Sequence, residues 1–199
     1  MILLVFLLAG ILTGLTGSAL LKQRWEVPYI KAAWLAFVAF LPQFILIYLP
    51  AARQVSDLWV AAGLVVSQIL LLVFCWLNRR APAFCLLAAG LVMNLAVIIA
   101  NGGFMPISPE TASRLIPPEH LQAITLGSRF GHGKDVLLLT ENTRLALFSD
   151  RMLPPVWFPY QVAFSLGDTL IAIGAFLLMA LPQQFSMTKP ILRLEDEPC

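Results

Sequence analysis

The chain has 199 residues, of which 59% are hydrophobic and only 12% are charged, and its formal net charge is +2. A soluble domain is about half apolar and about a quarter charged, so this chain has too few charges to solvate a globular surface. Its apolar surplus is therefore expected to face lipid. The small net charge and the scattered basic residues also exclude a nucleic-acid-binding surface of the usual kind.

Five apolar segments are long enough to cross a bilayer as α-helices, which requires about 20 residues each. They cover about 2–21, 30–49, 58–77, 82–100 and 160–181. The first segment lacks the preceding basic residues and the small-residue cleavage site of a signal peptide, so we expect it to remain as a helix. The sequence thus predicts an all-α integral membrane protein with five transmembrane helices, forming a single membrane domain over 1–199. An insert at 101–159 lies outside the membrane, and a tail follows at 183–199.

Basic residues in the short loops predict the orientation of these helices. Seven of them fall on one side of the membrane if the helices alternate in direction: Lys22, Arg24, Lys31, Arg79, Arg80, Lys189 and Arg193. The short loop on the other side carries only Arg53. Because Lys and Arg in short loops favour the cytoplasmic side, we expect the protein in the cell membrane with its N-terminus and the insert outside and its C-terminal tail in the cytoplasm.

The first segment carries small residues at a spacing of four, namely Gly10, Gly14 and Ser18. Small residues on one stripe of a membrane helix let another backbone approach closely. The stripe predicts helix packing, either within the chain or between copies of it.

The insert is predicted to contain short helices and a β-hairpin. Ser108-Pro109-Glu110 is typical of a helix start with Ser as N-cap and Pro in the first turn, and this helix should end near Leu115. Pro117-Pro118-Glu119 begins a second helix. The apolar runs 136–139 and 144–148 flank a polar turn and predict the hairpin.

Polar side chains inside membrane segments are costly, and they usually face inward or serve a function. Here they are Gln43, Ser67, Gln68, Asn94 and Asp168. Asn94 and Asn101 are seven residues apart and therefore share one helical face. Gln43, Gln68, Asn94 and Asn101 are candidates for a polar binding site within the membrane.

Two aspartates form a second candidate site. Asp168 lies about two turns inside the fifth segment, and Asp150 closes the predicted hairpin on the same outer side. Two carboxyl groups at one membrane face, one ionised and one protonated, are the minimum for general acid/base hydrolysis. The alternatives are structural: Asp150 as a turn cap and Asp168 as a partner of backbone donors or of Asn and Gln on other helices.

The sequence predicts no cofactor and no metal site. Cys75, Cys85 and Cys199 do not have metal-ligand spacing, and His120 and His132 are expected to be solvated loop residues. No haem-binding, Walker, zinc-protease or Ser-His-Asp pattern is present in the sequence.

Several motifs resemble an uncharacterised bacterial family of multi-pass membrane proteins, defined only by a domain of unknown function. They are 90–94 (GLVMN), 101–106 (NGGFMP), 143–145 (TRL), 149–150 (SD) and 165–168 (SLGD). The resemblance covers nearly the whole chain. It implies a bacterial membrane protein and supplies no activity.

The last third also resembles the lipoprotein signal peptidases, through 164–169 (FSLGDT) with Ile171 and Gly174. Those enzymes carry one catalytic aspartate in a Phe-Asn-x-Ala-Asp stretch of their final helix and a second one upstream. The resemblance implies that Asp168 and Asp150 form the pair. The sequence departs from that pattern, because Ser165 replaces the Asn and Gly167 replaces the Ala.

Three hypotheses for function follow. The first is a non-catalytic subunit or scaffold that contacts membrane lipid and other membrane subunits. The second is a membrane aspartyl hydrolase that uses Asp150 and Asp168. The third is a small transporter, or a lipid- or quinone-binding protein, that uses Gln43, Gln68 and Asn94 together with Asp168.

Overall fold

The computed structural model describes residues 2–22, 25, 28–49, 54–131 and 133–181. The predicted tail at 183–199 lies outside the described residues, as do Arg24, Arg53, His132, and the tail residues Lys189, Arg193 and Cys199.

The described chain is mostly helical and contains one small sheet. Its helices and strands, in chain order, are α1 (Ile2–Leu20), α2 (Ala33–Gln43), α3 (Asp57–Leu77), α4 (Pro82–Ala100), β1 (Met105–Ile107), α5 (Pro109–Ala112), α6 (Pro118–Gln122), β2 (Asp135–Leu137) and α7 (Leu166–Ala180). A π-helical turn, Phe44–Tyr48, continues α2 directly. Three helices, α1, α3 and α4, are long and apolar enough to cross a membrane, whereas α7 and the α2 segment are shorter apolar helices.

The five apolar helices pack in a row, in the order α2, α3, α4, α7 and α1. Glycines mark where α4 and α7 approach: a Cβ at Gly90 would lie 2.7 Å from Cγ1 of Ile171, and one at Gly174 would lie 2.9 Å from Cγ of Leu87. The residue numbers run in opposite senses along the two helices, so α4 and α7 are antiparallel. The end of the row at which α4 finishes and α7 begins is called the insert end here.

The small-residue stripe of α1 lies against α7. A Cβ at Gly10 would lie 2.6 Å from the carbonyl oxygen of Phe176, and one at Gly14 would meet the carbonyl oxygen of Met179. Ser18 is half-buried. The residue numbers of the contacting positions increase together along the two helices, so α1 and α7 run in the same direction. Helix α1 therefore begins at the insert end.

At the opposite end of the row, hydrogen bonds join the chain just before α2 to the residue that follows α3. Asn78 Oδ1 accepts from the backbone N–H of Lys31 at 2.8 Å, and Asn78 Nδ2 donates to the Lys31 carbonyl at 3.0 Å. The described basic residues Lys22, Lys31 and Arg79 all lie at this end, away from the insert.

Helix α7 begins at Leu166, later than the predicted start at residue 160. Ser165 and Asp168 form a capping box in which each side chain accepts from the backbone N–H of the other. Just before it, Phe164 pairs with Met152 through two backbone hydrogen bonds of 3.0 and 3.1 Å. The chain is therefore extended up to Phe164 and cannot be helical there.

The predicted hairpin is wrong. β2 pairs in parallel with β1, with Met105 opposite Asp135 and Ile107 opposite Leu137. The second predicted strand contains instead a 3-10 turn, Ala146–Phe148, entered through a left-handed Leu145 with φ 56°. After this turn the chain reaches the other edge of β1, where Asp150 forms a single parallel bridge with Ile107.

The two short helices of the insert begin where the sequence predicts. Ser108 caps α5 by accepting from the backbone N–H of Thr111 at 3.1 Å. The helix ends at Ala112, before the expected end at Leu115. α6 starts at Pro118.

Apolar contacts seat the insert on the helix ends. Phe104 and Val136 pack with Val60 and Leu64 of α3, and Met105 packs with Ile98 of α4. The sheet therefore packs against the ends of α3 and α4 that lie at the insert end. The charged residues next to the sheet lie near the start of α7.

Candidate functional site

The candidate site is a polar cluster at the junction between the insert, α4 and α7. Asn94 comes from α4, Ser165 and Asp168 from the start of α7, and Lys134 and Asp150 from the insert. Ser165 and Asp150 are fully buried, and Asn94 is 4% exposed. Buried polar groups of this kind require partners, and the cluster provides most of them internally.

Asn94 joins α4 to the cap of α7. Its Nδ2 donates to Asp168 Oδ1 at 2.7 Å, and its Oδ1 accepts from the Ser165 hydroxyl at 2.9 Å. The other Asp168 oxygen accepts from the backbone N–H of Ser165 at 3.2 Å. Both carboxylate oxygens of Asp168 are therefore engaged.

This contact depends on two glycines. A Cβ on Gly90 would meet the carbonyl oxygen of Gly167, and a Cβ on Gly167 would meet the Asn94 amide oxygen. The two backbones approach so closely that no side chain larger than hydrogen fits between them. Asn94 reaches the α7 cap because neither glycine carries a side chain.

Asp150 and Lys134 form the second part of the cluster. The Asp150 backbone N–H donates to the Pro106 carbonyl at 3.2 Å, so Asp150 lies along the edge of β1 that β2 does not use. Lys134 directly precedes β2, and its Nζ contacts Asp150 Oδ2 at 2.5 Å and Asp135 Oδ1 at 3.4 Å. The other Asp150 oxygen, Oδ1, is buried with no hydrogen-bond partner among the described residues.

Burial and charge shift the titration of both groups. Burial raises the pKa of the Asp150 carboxyl to about 8, and the Lys134 ammonium offsets only part of that effect. Burial also lowers the pKa of Lys134, but the carboxylates of Asp135, Asp150 and Asp168 outweigh it, and the pKa of Lys134 lies well above its ordinary value. Lys134 is therefore charged, and Asp150 keeps its proton far above the usual range.

The two aspartates proposed from the sequence thus belong to one electrostatic cluster, without a hydrogen bond between them among the described contacts. Asp168 contributes to the raised pKa values of Asp150 and Lys134. Sequence reasoning missed Lys134. A buried carboxyl calls for a cation, but the sequence did not indicate which base of the insert would reach Asp150, because the parallel pairing that places Lys134 there was not visible.

The other predicted polar residues lie elsewhere. Gln43 donates from Nε2 to the Ser67 hydroxyl at 2.8 Å, at the α2–α3 interface, and the same hydroxyl donates to the Ala39 carbonyl. Gln68 on α3 has a buried amide oxygen with no hydrogen-bond partner in the described part of the chain. Gln43 and Asn94 therefore occupy different helix interfaces and do not line one site.

Asn101, at the end of α4, organises the insert. Its Nδ2 donates to the carbonyls of Val97 at 2.8 Å and Arg144 at 2.9 Å, and its Oδ1 accepts from the Arg144 backbone N–H at 2.9 Å. This clamp fixes the chain just before the left-handed Leu145.

Within the described ranges, no group of three or more His, Cys, Asp or Glu side chains is arranged to hold a metal ion. The chemistry that the cluster offers is that of a buried carboxyl, an ammonium and an amide.

Comparison with known proteins places the chain in a family. A family model described as "Family of unknown function (DUF5317)" matches residues 28–180. The chain belongs to this family. An "Uncharacterized protein" of Thermotoga maritima is 30% identical over 190 residues, covering 94% of each chain. No solved structure matches the chain.

The DUF5317 match spans α2 to α7 and includes all five residues of the polar cluster. Membership agrees with the resemblance to an uncharacterised family that the motifs carry, and it assigns no activity.

Proposed function

We propose that this DUF5317 protein is a five-pass membrane protein that acts as a non-catalytic subunit or scaffold of a membrane complex. The packing order and the helix directions support five passes, because each step along the chain from α1 to α4, and from α4 to α7, reverses direction. The π-helical turn lengthens the α2 segment to about 24 Å and α7 measures about 22 Å, at 1.5 Å per residue. Both approach the 30 Å of a hydrocarbon core, and thinning or flanking residues make up the difference.

The tryptophans support the same arrangement. Trp59 and Trp157 are exposed at the insert end, and Trp34 and Trp76 are exposed at the opposite end. Exposed tryptophans at both ends of a helical row match the two interfacial belts of a membrane protein.

One observation carries the non-catalytic assignment: both candidate carboxyls are bound by other side chains of the fold. Asp168 caps its own helix and holds Asn94, and Asp150 is fully buried against Lys134. A general base needs a carboxylate within reach of a substrate or water, whereas both oxygens of Asp168 accept hydrogen bonds within the fold and Asp150 is fully buried.

Cysteine labelling in intact cells tests one requirement of the five-pass arrangement, namely that the insert and the turn between α3 and α4 lie on opposite sides of the membrane. A cysteine at Ser128, which is half-buried in the insert, should react with a membrane-impermeant maleimide. A cysteine at Arg80 should react only after permeabilisation. The unsubstituted chain measures the background from the native cysteines. Equal labelling of both positions in intact cells contradicts the proposed arrangement.

Purification from the native membrane in mild detergent tests the subunit role. We expect a stoichiometric partner to remain bound and to be identified by mass spectrometry. The variant Asn94→Leu, in which the junction is weakened, should retain less partner than the control Val92→Ala. A strictly monomeric protein under all mild conditions contradicts the subunit role.

The aspartyl hydrolase is the second candidate, favoured by the raised pKa of Asp150 and by the presence of Asp168 in the same cluster. It requires that Asp150→Asn and Asp168→Asn each abolish peptide hydrolysis at the membrane surface while the folded protein remains. This candidate is ruled out if the unaltered protein has no measurable hydrolytic activity and the two variants only lose their folded state.

A further inference from the structure

The insert contains a second polar feature, distinct from the buried cluster. A cavity of about 140 Å³ opens between α5 and two 3-10 turns, Thr140–Asn142 and Ala146–Phe148. Its lining includes two arginines, Arg114 and Arg151, one glutamate, Glu110, and five hydroxyl side chains. Sequence reasoning did not single out this set, because its members come from two stretches of the chain, 108–114 and 140–153.

The charges of the cavity are unbalanced. Among the residues that the structure describes, neither guanidinium forms an ion pair or a side-chain hydrogen bond, and Glu110 forms no ion pair. Two cations and one anion leave the lining with a net charge of +1. Arginine prefers two-pronged contacts with oxyanions, and these two guanidinium groups are not used by the fold.

Hydroxyl donors remain as well. Thr143 and Ser149 give their protons to backbone carbonyls at 2.9 and 2.7 Å. Thr140 has no such bond in the described chain, and the Ser108 and Thr111 hydroxyls share one contact of 3.1 Å, which leaves one of their two protons available. Two guanidinium groups and two hydroxyls are therefore free to donate into one cavity.

The size of the cavity limits the ligand. Its volume is about tenfold the minimum that holds a single water molecule, but well below the several hundred Å³ of a pocket for a drug-sized ligand. A group of a few heavy atoms with several acceptor oxygens fits both the volume and the donors.

We propose that this cavity binds a phosphate group, either free or on a lipid headgroup, through Arg114 and Arg151. The lipid source is within reach because neighbouring side chains of the same segments, Leu147 at 68% and Trp157 at 80% exposed, present an apolar surface at the insert end. The negative charge of Glu110 repels a phosphate group and therefore weakens its binding. This binding function is independent of the proposed subunit role.

The test uses the full chain in dodecyl maltoside, a detergent without phosphate. Inorganic phosphate binding is measured by calorimetry, and retention of added phosphatidylglycerol is measured by native mass spectrometry. Arg114→Gln and Arg151→Gln should each weaken binding about tenfold, which is the usual loss for one charge-assisted contact. Glu110→Gln should strengthen it. Arg144→Gln, an exposed arginine of the insert outside the cavity, should change nothing.

Each outcome of this test either supports or overturns the proposed phosphate site. Binding of phosphatidylglycerol alone, with this pattern of variants, assigns the phosphate to a lipid headgroup, and binding of inorganic phosphate alone assigns it to a free ligand. The proposal is overturned if neither probe binds, or if Arg144→Gln weakens binding as much as the cavity variants. If an arginine variant does not fold, the gain expected for Glu110→Gln still decides, and its absence overturns the proposal.

Discussion

Asn94 on α4 donates a hydrogen bond of 2.7 Å to the carboxylate of Asp168 on α7, and the same amide accepts from Ser165 at 2.9 Å. One side chain therefore contacts both members of the capping box that begins α7. The start of that helix is fixed by its own residues and by a partner 74 positions earlier in the sequence.

Replacing Asn94 by leucine should destabilise the protein. The substitution keeps the size of the side chain but leaves one oxygen of Asp168 and the Ser165 hydroxyl without their partner. Interhelical hydrogen bonds in membranes contribute about 1 kcal/mol, so we expect a loss of that order in unfolding by sodium dodecyl sulfate titration. Val92→Ala, at an exposed position of the same helix, is the control. An equal loss in both variants contradicts a specific role for the amide.

Adding a methyl group at Gly90 should force α4 and α7 apart. A Cβ there would lie 2.7 Å from Ile171 Cγ1 and closer still to the Gly167 carbonyl oxygen. Such overpacking costs about 1–3 kcal/mol, and thermal unfolding in detergent should show it. Gly17→Ala is the matched control, because no described atom lies within 4 Å of its Cβ position. If Gly90→Ala is as stable as Gly17→Ala, the two backbones do not pack this closely.

The buried Asp150 should make stability depend on pH. Its pKa is about 8 in the folded protein against an ordinary 3.8. The folded state therefore holds a proton that the unfolded state has lost, and stability should fall as the pH rises from about 4 to about 8, by on the order of 1 kcal/mol per pH unit, and then stay level. Lys134 stays protonated in both states across this range and adds no slope.

The unfolding free energy at pH 5 and pH 8 measures this effect. Asp150→Asn should flatten the pH dependence because the titrating group is gone, whereas Glu141→Gln, at an exposed carboxyl, should retain it. Stability that stays level between pH 5 and pH 8 in the unaltered protein would contradict this prediction, because it would show that Asp150 is already ionised in the folded state, as expected if Lys134 holds its carboxylate.

Removing the Asn101 side chain should loosen the segment around Arg144. Asn101→Ala deletes two hydrogen bonds to the Arg144 backbone. Amide hydrogen exchange over 143–147 should then accelerate at least severalfold, since local opening loses its main restraint. Asn142→Ala, at an exposed position whose side chain forms no hydrogen bond in the described chain, should leave exchange unchanged. Acceleration in both variants would assign the effect to general loosening of the insert.

The sequence predicted the helical part well because its signals are local. Apolar runs of about 20 residues define α3 and α4, and Ser108 with Pro109 defines the start of α5. The predicted start of α7 at 160 rests on residues 160–164, which are apolar except for Gln161, although Ser165 and Asp168 have the spacing of a capping box. Hydrophobicity alone could not show that Phe164 is held in a pairing with Met152.

The sheet and the charged contact could not be predicted in the same way. β1 and β2 are parallel, and a parallel pair joins segments about 30 residues apart through an irregular connection. Two local apolar runs favoured a hairpin, which is the simpler pairing. Because a hairpin was predicted, the contact of Lys134 with Asp150 was not predicted. Only the parallel pairing of β2 with β1 brings Lys134, the residue before β2, close to Asp150.

The short length of α7 has a consequence for the lipid around it. A helix of 15 residues leaves several ångströms of a standard hydrocarbon core uncovered at one end. In a five-pass arrangement the chain that precedes α7 must enter the leaflet at the insert end, where water is scarce and unpaired backbone groups are costly. The reciprocal Met152–Phe164 hydrogen bonds satisfy the backbone at that depth. The bilayer next to α7 should therefore be locally thinner. The protein should be more stable in short-chain lipids than in long-chain ones.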